Sequence, residues 1–320
     1  MTETTITATT TETVRNGVDT TTMFATLDAI KAQPEIAQFR FRASNRWLGG
    51  AHNRSTIKDF YAACGCSAST GRGSASPTRT ATRACGAWAT GHGRCPRRDG
   101  RCSPMGGAPD RRRVLGTGQH PEQEKPMTET TITATRTVRN GVDTATMFAT
   151  LDAIKAQPEI AKFRFRARNK WLGGAHNRST IKDFYAACDE DATRTEAFTL
   201  DAGEPAILLG TDTGPNPAEY LLHALAACVT TSLVYSAAAR KVNLTMVEST
   251  LEGDLNVEGA MGTNTVDFRN GFERIRVSFR VSGEAPPEKL REVVERARRR
   301  SAVYDMVAHG VPVAVEVATH

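Results

Sequence analysis

A stretch of 51 residues occurs twice in this chain with only four differences. Val14–Cys64 recurs as Val138–Cys188, changed at Thr21/Ala145, Gln38/Lys162, Ser44/Arg168 and Arg46/Lys170, and residues 1–9 recur verbatim at 127–135. Repeat folds stack many diverged copies, each burying a face against the next. Two near-identical copies with unrelated text between them read instead as a recent duplication. The residues after Cys188 bear no likeness to those after Cys64. The chain therefore offers two sets of N-terminal elements to one core, and copy one either competes for the docking site of copy two or stays loose.

The text between the copies, 65–126, is foreign to both. It holds eleven Gly, ten Arg, and Cys66, Cys85, Cys95, Cys102 and Trp88, with no hydrophobic period of either kind. Ten arginines and Lys125 oppose four acids there, so the +6 of the whole chain belongs to this segment; 127–320 is slightly acidic at −2. Scattered arginines without interleaved aromatics make a poor nucleic-acid site. Cys85, His92, Cys95 and Cys102 lack the paired spacing that clamps a tetrahedral metal. The expectation is a basic, disordered spacer, no metal and no nucleic-acid partner. EQEKPM (122–127) can be encoded with AGGAG six bases before an ATG. This makes Met127 a candidate start codon and 65–126 a candidate out-of-frame translation. The expected organisation is 1–64 truncated duplicate, 65–126 spacer, 127–320 functional domain. Neither Met1 nor Met127 leads into an apolar signal region, so the expectation is cytoplasmic, with reduced thiols.

Within 127–320, Asp143 can cap a helix carrying Met147, Leu151 and Ile154, with Pro158 past its end. Residues 161–172 alternate, with Phe163 and Phe165 against Arg164 and Arg166, and read as a half-buried strand; 179–187 returns as its hairpin partner. Residues 196–203 and 206–210 read as a second pair of short strands. Residues 218–241 form a helix uncharged from Tyr220 to Ala239. That is long enough for a bilayer, but rich in Ala and polar groups. The preferred reading is a helix enclosed on every side by sheets or a partner subunit, with no membrane. Strands at 246–259 and 273–283, an amphipathic helix at 286–300 and a last strand at 311–318 complete an α+β class. Arg298–Arg300 suit a solvated helix C-terminus.

GPNPAEYLLHALAACVTTSL (214–233) and RRRSAVYDMVAHGVPVAVEV (298–317) resemble the signatures of the OsmC/Ohr family (osmotically inducible protein C / organic hydroperoxide resistance), and RNKWLGGAHNRSTIKDFY (168–185) resembles one branch of it. The resemblance implies antiparallel sheets wrapped around a long buried central helix in an intertwined homodimer. It also implies reduction of organic hydroperoxides by a cysteine thiolate, with no cofactor and a small thiol or dithiol as reductant. Cys228 falls on the peroxidatic position. The resolving cysteine's place holds Ser301, which cannot form a disulfide. The glutamate expected directly after Pro217 is displaced by one, to Glu219. The assisting arginine is missing from 195–217, and Arg178 is the nearest candidate.

Elementary geometry constrains these residues. Cys228 lies ten residues beyond Ala218, about three turns in, so the helix end does little to lower its pKa. Glu219 is about 180° round the helix and His223 about 140°, so activation has to come from other segments or from a second subunit. Cys188 resolves a Cys228 sulfenic acid only if the two Cα atoms come within roughly 7 Å. The alternative is a non-catalytic dimer binding a small apolar ligand at the subunit interface, with Cys228 a small buried hydrophobe.

Overall fold

The computed structural model describes residues 14–62, 137–264 and 269–319. The spacer 65–126 and Met127, with the readings attached to them, lie outside these residues. Copy one opens with β1 (Val14–Arg15) and β2 (Val18–Asp19) around an Asn16-Gly17 turn in which both residues have positive φ. Two positive φ values define the turn that matches strand twist, and they favour Asn-Gly. Asp19 then caps α1 (Thr20–Ala32) by accepting from the Thr21 and Thr22 amides. Pro34 opens a single 3-10 turn, and β3 (Gln38–Gly49), β4 (His52–Ile57) and β5 (Tyr61–Ala62) come next.

Copy two repeats the opening as β6 (Val138–Arg139), β7 (Val142–Asp143) and α2 (Thr144–Ala156), with Asp143 as the expected cap. It then runs through β8 (Arg168–Gly173), β9 (His176–Ile181), β10 (Phe184–Ala186), β11 (Asp189–Asp191) and β12 (Phe198–Ala202). The core continues with α3 (Pro217–Ala239), β13 (Leu244–Asn256), β14 (Phe272–Gly283), α4 (Pro287–Arg300) and α5 (Ala302–His309). The α+β class holds.

The central sheet has the order β14-β13-β3-β4, with β5 on the remainder of β3. Copy one has therefore taken the docking site. β3 pairs antiparallel with β13 from Gln38↔Asn256 to Arg46↔Glu248. Strand alternation sends Phe39, Phe41, Ala43 and Asn45 inward, where all are buried. Burying each phenylalanine contributes about 1.5–3 kcal/mol. The same alternation sends Arg40, Arg42 and Arg46 outward onto Asp254, Glu252 and Glu248 of β13. Arg276 and Arg280 of β14 reach the same acids from the other side. α3 packs under this sheet and against α4 and α5.

Copy two behaves differently in the same sequence. The half-buried strand expected over 161–172 exists only as β8, and 162–167 makes a single bridge, Arg164↔Tyr185. Phe163 and Phe165 are 54% and 71% exposed, against 4% and 1% for Phe39 and Phe41. The reason is supply. β13 has two edges, β14 occupies one and β3 the other. β8 and β9 join β12 in a separate three-stranded sheet, in which β8 is the edge. The copies also meet reciprocally: the Gly50 amide donates to the Asn140 carbonyl and the Gly174 amide to the Asn16 carbonyl. A Cβ on Gly17 or Gly141 would lie 2.6 or 2.4 Å from the facing glycine nitrogen, so neither position admits a side chain.

Two other expectations are corrected. Residues 206–210 form a 3-10 turn (Ala206–Leu208), not a strand, because Pro205 and a tightly packed Gly210 fold the run back on Glu204; β12 pairs with β9 instead. Residues 311–318 alternate as a strand should, yet form none: Val313 and Val315 are 80% and 82% exposed, and a strand without an edge to join is not stable. Within one chain the sheets alone do not enclose α3, since Leu221 and Tyr235 are open. It is long and apolar enough to cross a membrane, but eleven of its residues are buried in the fold, as in a core helix.

Candidate functional site

The start of α3 is held by a reciprocal cap. The Asn216 side chain accepts from the Ala218 amide at 2.7 Å, and the Asn216 amide donates to Glu219 Oε2 at 2.9 Å. The Asn216 Nδ2 also donates to Glu204. Burial pushes the carboxyls of both Glu204 and Glu219 above their ordinary values, and Asp212 beside Glu219 adds to the effect there. Glu219 borders a cavity of about 330 Å³, together with Pro205, Asp212 and Pro215. Its other wall comes from copy one: Phe41, Ile57, Lys58 and Phe60. Glu219 thus lines this cavity together with four residues of the duplicated segment.

Cys228 lies half-buried three turns along α3 and lines neither this cavity nor the larger groove of about 490 Å³ on the outer sheet face. Nine residues separate it from Glu219, about 13 Å along the axis and half a revolution round it. One chain does not bring the two together. Arg178 lies on β9, where it grips Asp201 with two hydrogen bonds, 2.7 and 3.0 Å, while His176 sits 3.1 Å from the same carboxylate. Arg178 and then His176 hold the Asp201 carboxyl below the usual carboxylate range. The Asp201 carbonyl accepts from the Tyr220 hydroxyl at 2.7 Å, which ties Arg178 to the first turn of α3 rather than to Cys228. In copy one the equivalent residue, Arg54, falls on the exposed register of β4 and lines the outer groove.

Ser301 is buried and has its own structural task. It breaks α4 from α5, and its hydroxyl accepts from the Tyr304 amide at 3.2 Å. The sequence pattern joined helix 286–300 directly to a strand and missed α5 and this cap. Cys188 is exposed at positive φ. No cluster of three or more His, Cys, Asp or Glu suited to a metal occurs among the described residues.

A polar network has no counterpart among the sequence expectations. Thr230 Oγ1 donates to Asn45 Oδ1 at 3.3 Å, and Asn45 Nδ2 donates to Asn53 Oδ1 at 2.7 Å and Ser55 Oγ at 2.9 Å. Ser55 Oγ lies 2.6 Å from His223 Nδ1, and burial holds His223 below its ordinary pKa. The network fixes copy one to α3 through two residues, His223 and Thr230, seven positions apart on one helix face. The signal was the alternation that places Asn45 beside the phenylalanines on the inward face of its strand.

A capped, largely buried central helix under an antiparallel sheet, with a half-buried cysteine three turns in, defines an α+β domain built round one helix. Residues 210–316 match the model of the OsmC family, described as OsmC-like protein. By that match, 210–316 is similar to an OsmC-like domain. Among curated proteins, none matches the chain. Similar solved structures include an OsmC-like protein from Mycoplasma pneumoniae, with 14% identity over 46% of this chain and 88% of that one and a TM-score of 0.35. An OsmC-like hydroperoxide resistance protein from Jannaschia sp. shares 17% identity over 49% of this chain and 94% of that one, with a TM-score of 0.28. An OsmC-like protein of unknown function from Vibrio cholerae shares 12% identity over 44% and 92%, with a TM-score of 0.34. The likeness to the family thus rests on the 210–316 match.

Proposed function

We propose that this protein reduces organic hydroperoxides with the Cys228 thiol, acting in the reducing cytoplasm as a dimer of OsmC type. The observation that carries the reading is the position of Cys228: half-buried on α3, eleven residues beyond the Pro217 turn of the family motif. The thiolate attacks the O–O bond of the peroxide. The sulfur is oxidised to a sulfenic acid, and the other peroxide oxygen leaves as an alkoxide that takes up a proton to become an alcohol. Ser301 cannot trap the sulfenic acid. A small external dithiol therefore condenses with it, releasing water, and its second sulfur then frees the Cys228 thiol. Glu219 and Arg178 act as positioning residues at the helix start. With Asp201 and Asn216 they fix the first turn of α3.

A second reading has its own observation. The 330 Å³ pocket has Phe41, Ile57 and Phe60 on one wall beside Lys58, faces Asp212 and Glu219, and excludes Cys228; its apolar wall suits a non-catalytic protein holding a small apolar ligand. Peroxide consumption by the full chain with a dithiol donor separates the two. Turnover lost in Cys228→Ala supports the enzyme; equal rates in both proteins remove it.

A further inference from the structure

The β13 edge is filled by a segment that this chain carries twice. Copy one's β3 sits on it. Copy two's equivalent strand has its pairing edge free at β8, and its two phenylalanines stand in solvent. Every inward position of the docked strand is identical in the free one: Phe39/Phe163, Phe41/Phe165, Ala43/Ala167, Asn45/Asn169 and Trp47/Trp171. Three of the four differences between the copies fall on this strand, all at outward positions, and two of them add a positive charge: Gln38/Lys162 and Ser44/Arg168; the third, Arg46/Lys170, keeps it. The surface they would meet is acidic, since Glu248, Glu252 and Asp254 of β13 are the groups that already receive Arg46, Arg42 and Arg40. Shape is conserved and charge complementarity is at least retained.

We propose that residues 38–62 are an intramolecular stand-in for the hairpin of a second copy of this chain. They close the β13 edge in cis, and the free 162–181 hairpin is the donor that takes that edge in a second copy once the stand-in is displaced. Its stand-in role includes the pocket at Glu219. Phe41, Ile57, Lys58 and Phe60 form the wall that Phe165, Ile181, Lys182 and Phe184 of a second copy would otherwise supply. The duplication thus sets the assembly state: a tethered hairpin competes with a free one without depending on protein concentration, whereas the exchange between chains does depend on it. Within one chain the two copies already meet reciprocally, through Gly50–Asn140 and Gly174–Asn16, the kind of self-complementary contact that a two-fold exchange requires. The inference rests on the proposed function only for the OsmC-type dimer, whose strand-exchanged form the stand-in holds down in the resting chain, and the test reads assembly without any peroxide.

Register gives the test. Thr250 faces Ser44 across β3–β13, and the copy-two equivalent of Ser44 is Arg168. In the full chain, S44C/T250C should oxidise to an intrachain disulfide, located by peptide mapping, with T250C alone as the control for the native cysteines. R168C/T250C should give little disulfide-linked dimer. Adding R40E/R42E sets like charges against Asp254 and Glu252 without touching the core and should displace the stand-in. The S44C/T250C link then falls, and the R168C/T250C dimer rises at least tenfold on non-reducing gels. Phe41→Ala provides a second displacing variant with the charges intact. Equal dimer yields with and without displacement would overturn the proposal, as would loss of the intrachain link in both displaced chains with no gain of dimer.

Discussion

Thr230 donates a hydrogen bond to Asn45 across 185 positions of sequence, and the pair is buried. Asn45 belongs to the duplicate and Thr230 to the core helix, so this bond joins segments that local sequence gives no reason to join. Asn45→Ala strands Thr230 and removes a partner from Asn53 and Ser55. The expected cost is about 1–3 kcal/mol in chemical denaturation. The equivalent change in copy two, Asn169→Ala, touches only the exposed Asn169–Asn177 bond and should move stability by less than about 0.5 kcal/mol.

The same asymmetry is larger for the phenylalanines. Phe41→Ala opens a cavity in the core beside Phe39 and Phe60, whose rings lie against it, and should cost about 3–5 kcal/mol. Phe165→Ala removes a ring from solvent and should cost little at monomeric concentrations. Urea midpoints of the two variants measure the difference.

Two carboxylates should respond to pH with opposite sign. The Arg276 hydrogen bond, against burial and with further help from Arg40, holds Asp254 well below the usual carboxylate range. A depressed folded value stabilises above the unfolded value of about 3.9 and is lost as pH falls through the folded one. The gap in stability between the native protein and Asp254→Asn is therefore present at neutral pH and shrinks below the ordinary carboxylate range. Glu219 is raised by burial, so its neutral form is favoured, and stability is lost as pH rises above its unfolded value of about 4.3. Glu219→Gln should flatten that loss. Melts from acid to neutral pH read both.

Removing the helix cap tests how the site is held. Asn216→Ala deletes the bonds to Ala218 and Glu204 and should destabilise by about 1–2 kcal/mol. If the first turn of α3 positions Cys228 only indirectly, hydroperoxide turnover falls less than it does in Cys228→Ala.

Much of the fold was legible because it is local. Asp143 as a cap, the strands β13 and β14 and the uncharged run of α3 are all set by neighbours in sequence. Which copy enters the core was not legible, since Phe41 and Phe165 share one context and only tertiary competition separates them. The run 206–210 was too short to tell a strand from a turn. Val311–Val317 carries a strand's pattern, but no edge in the described residues receives it. Cys228 and Glu219 could be placed on one helix and on opposite faces from spacing alone. The Asn45–Ser55–His223 network could not, because it exists only once copy one has docked.

The most direct measurement is the oxidation state of Cys228 after one equivalent of an organic hydroperoxide. The full chain is treated without reductant, trapped with a sulfenic-acid reagent and mapped by mass spectrometry, with exposed Cys188 as the internal comparison. Modification concentrated on Cys228, with Cys188 remaining a thiol, is the expected result. An unmodified Cys228 thiol, with the peroxide intact or with Cys188 oxidised instead, would contradict the peroxidase reading.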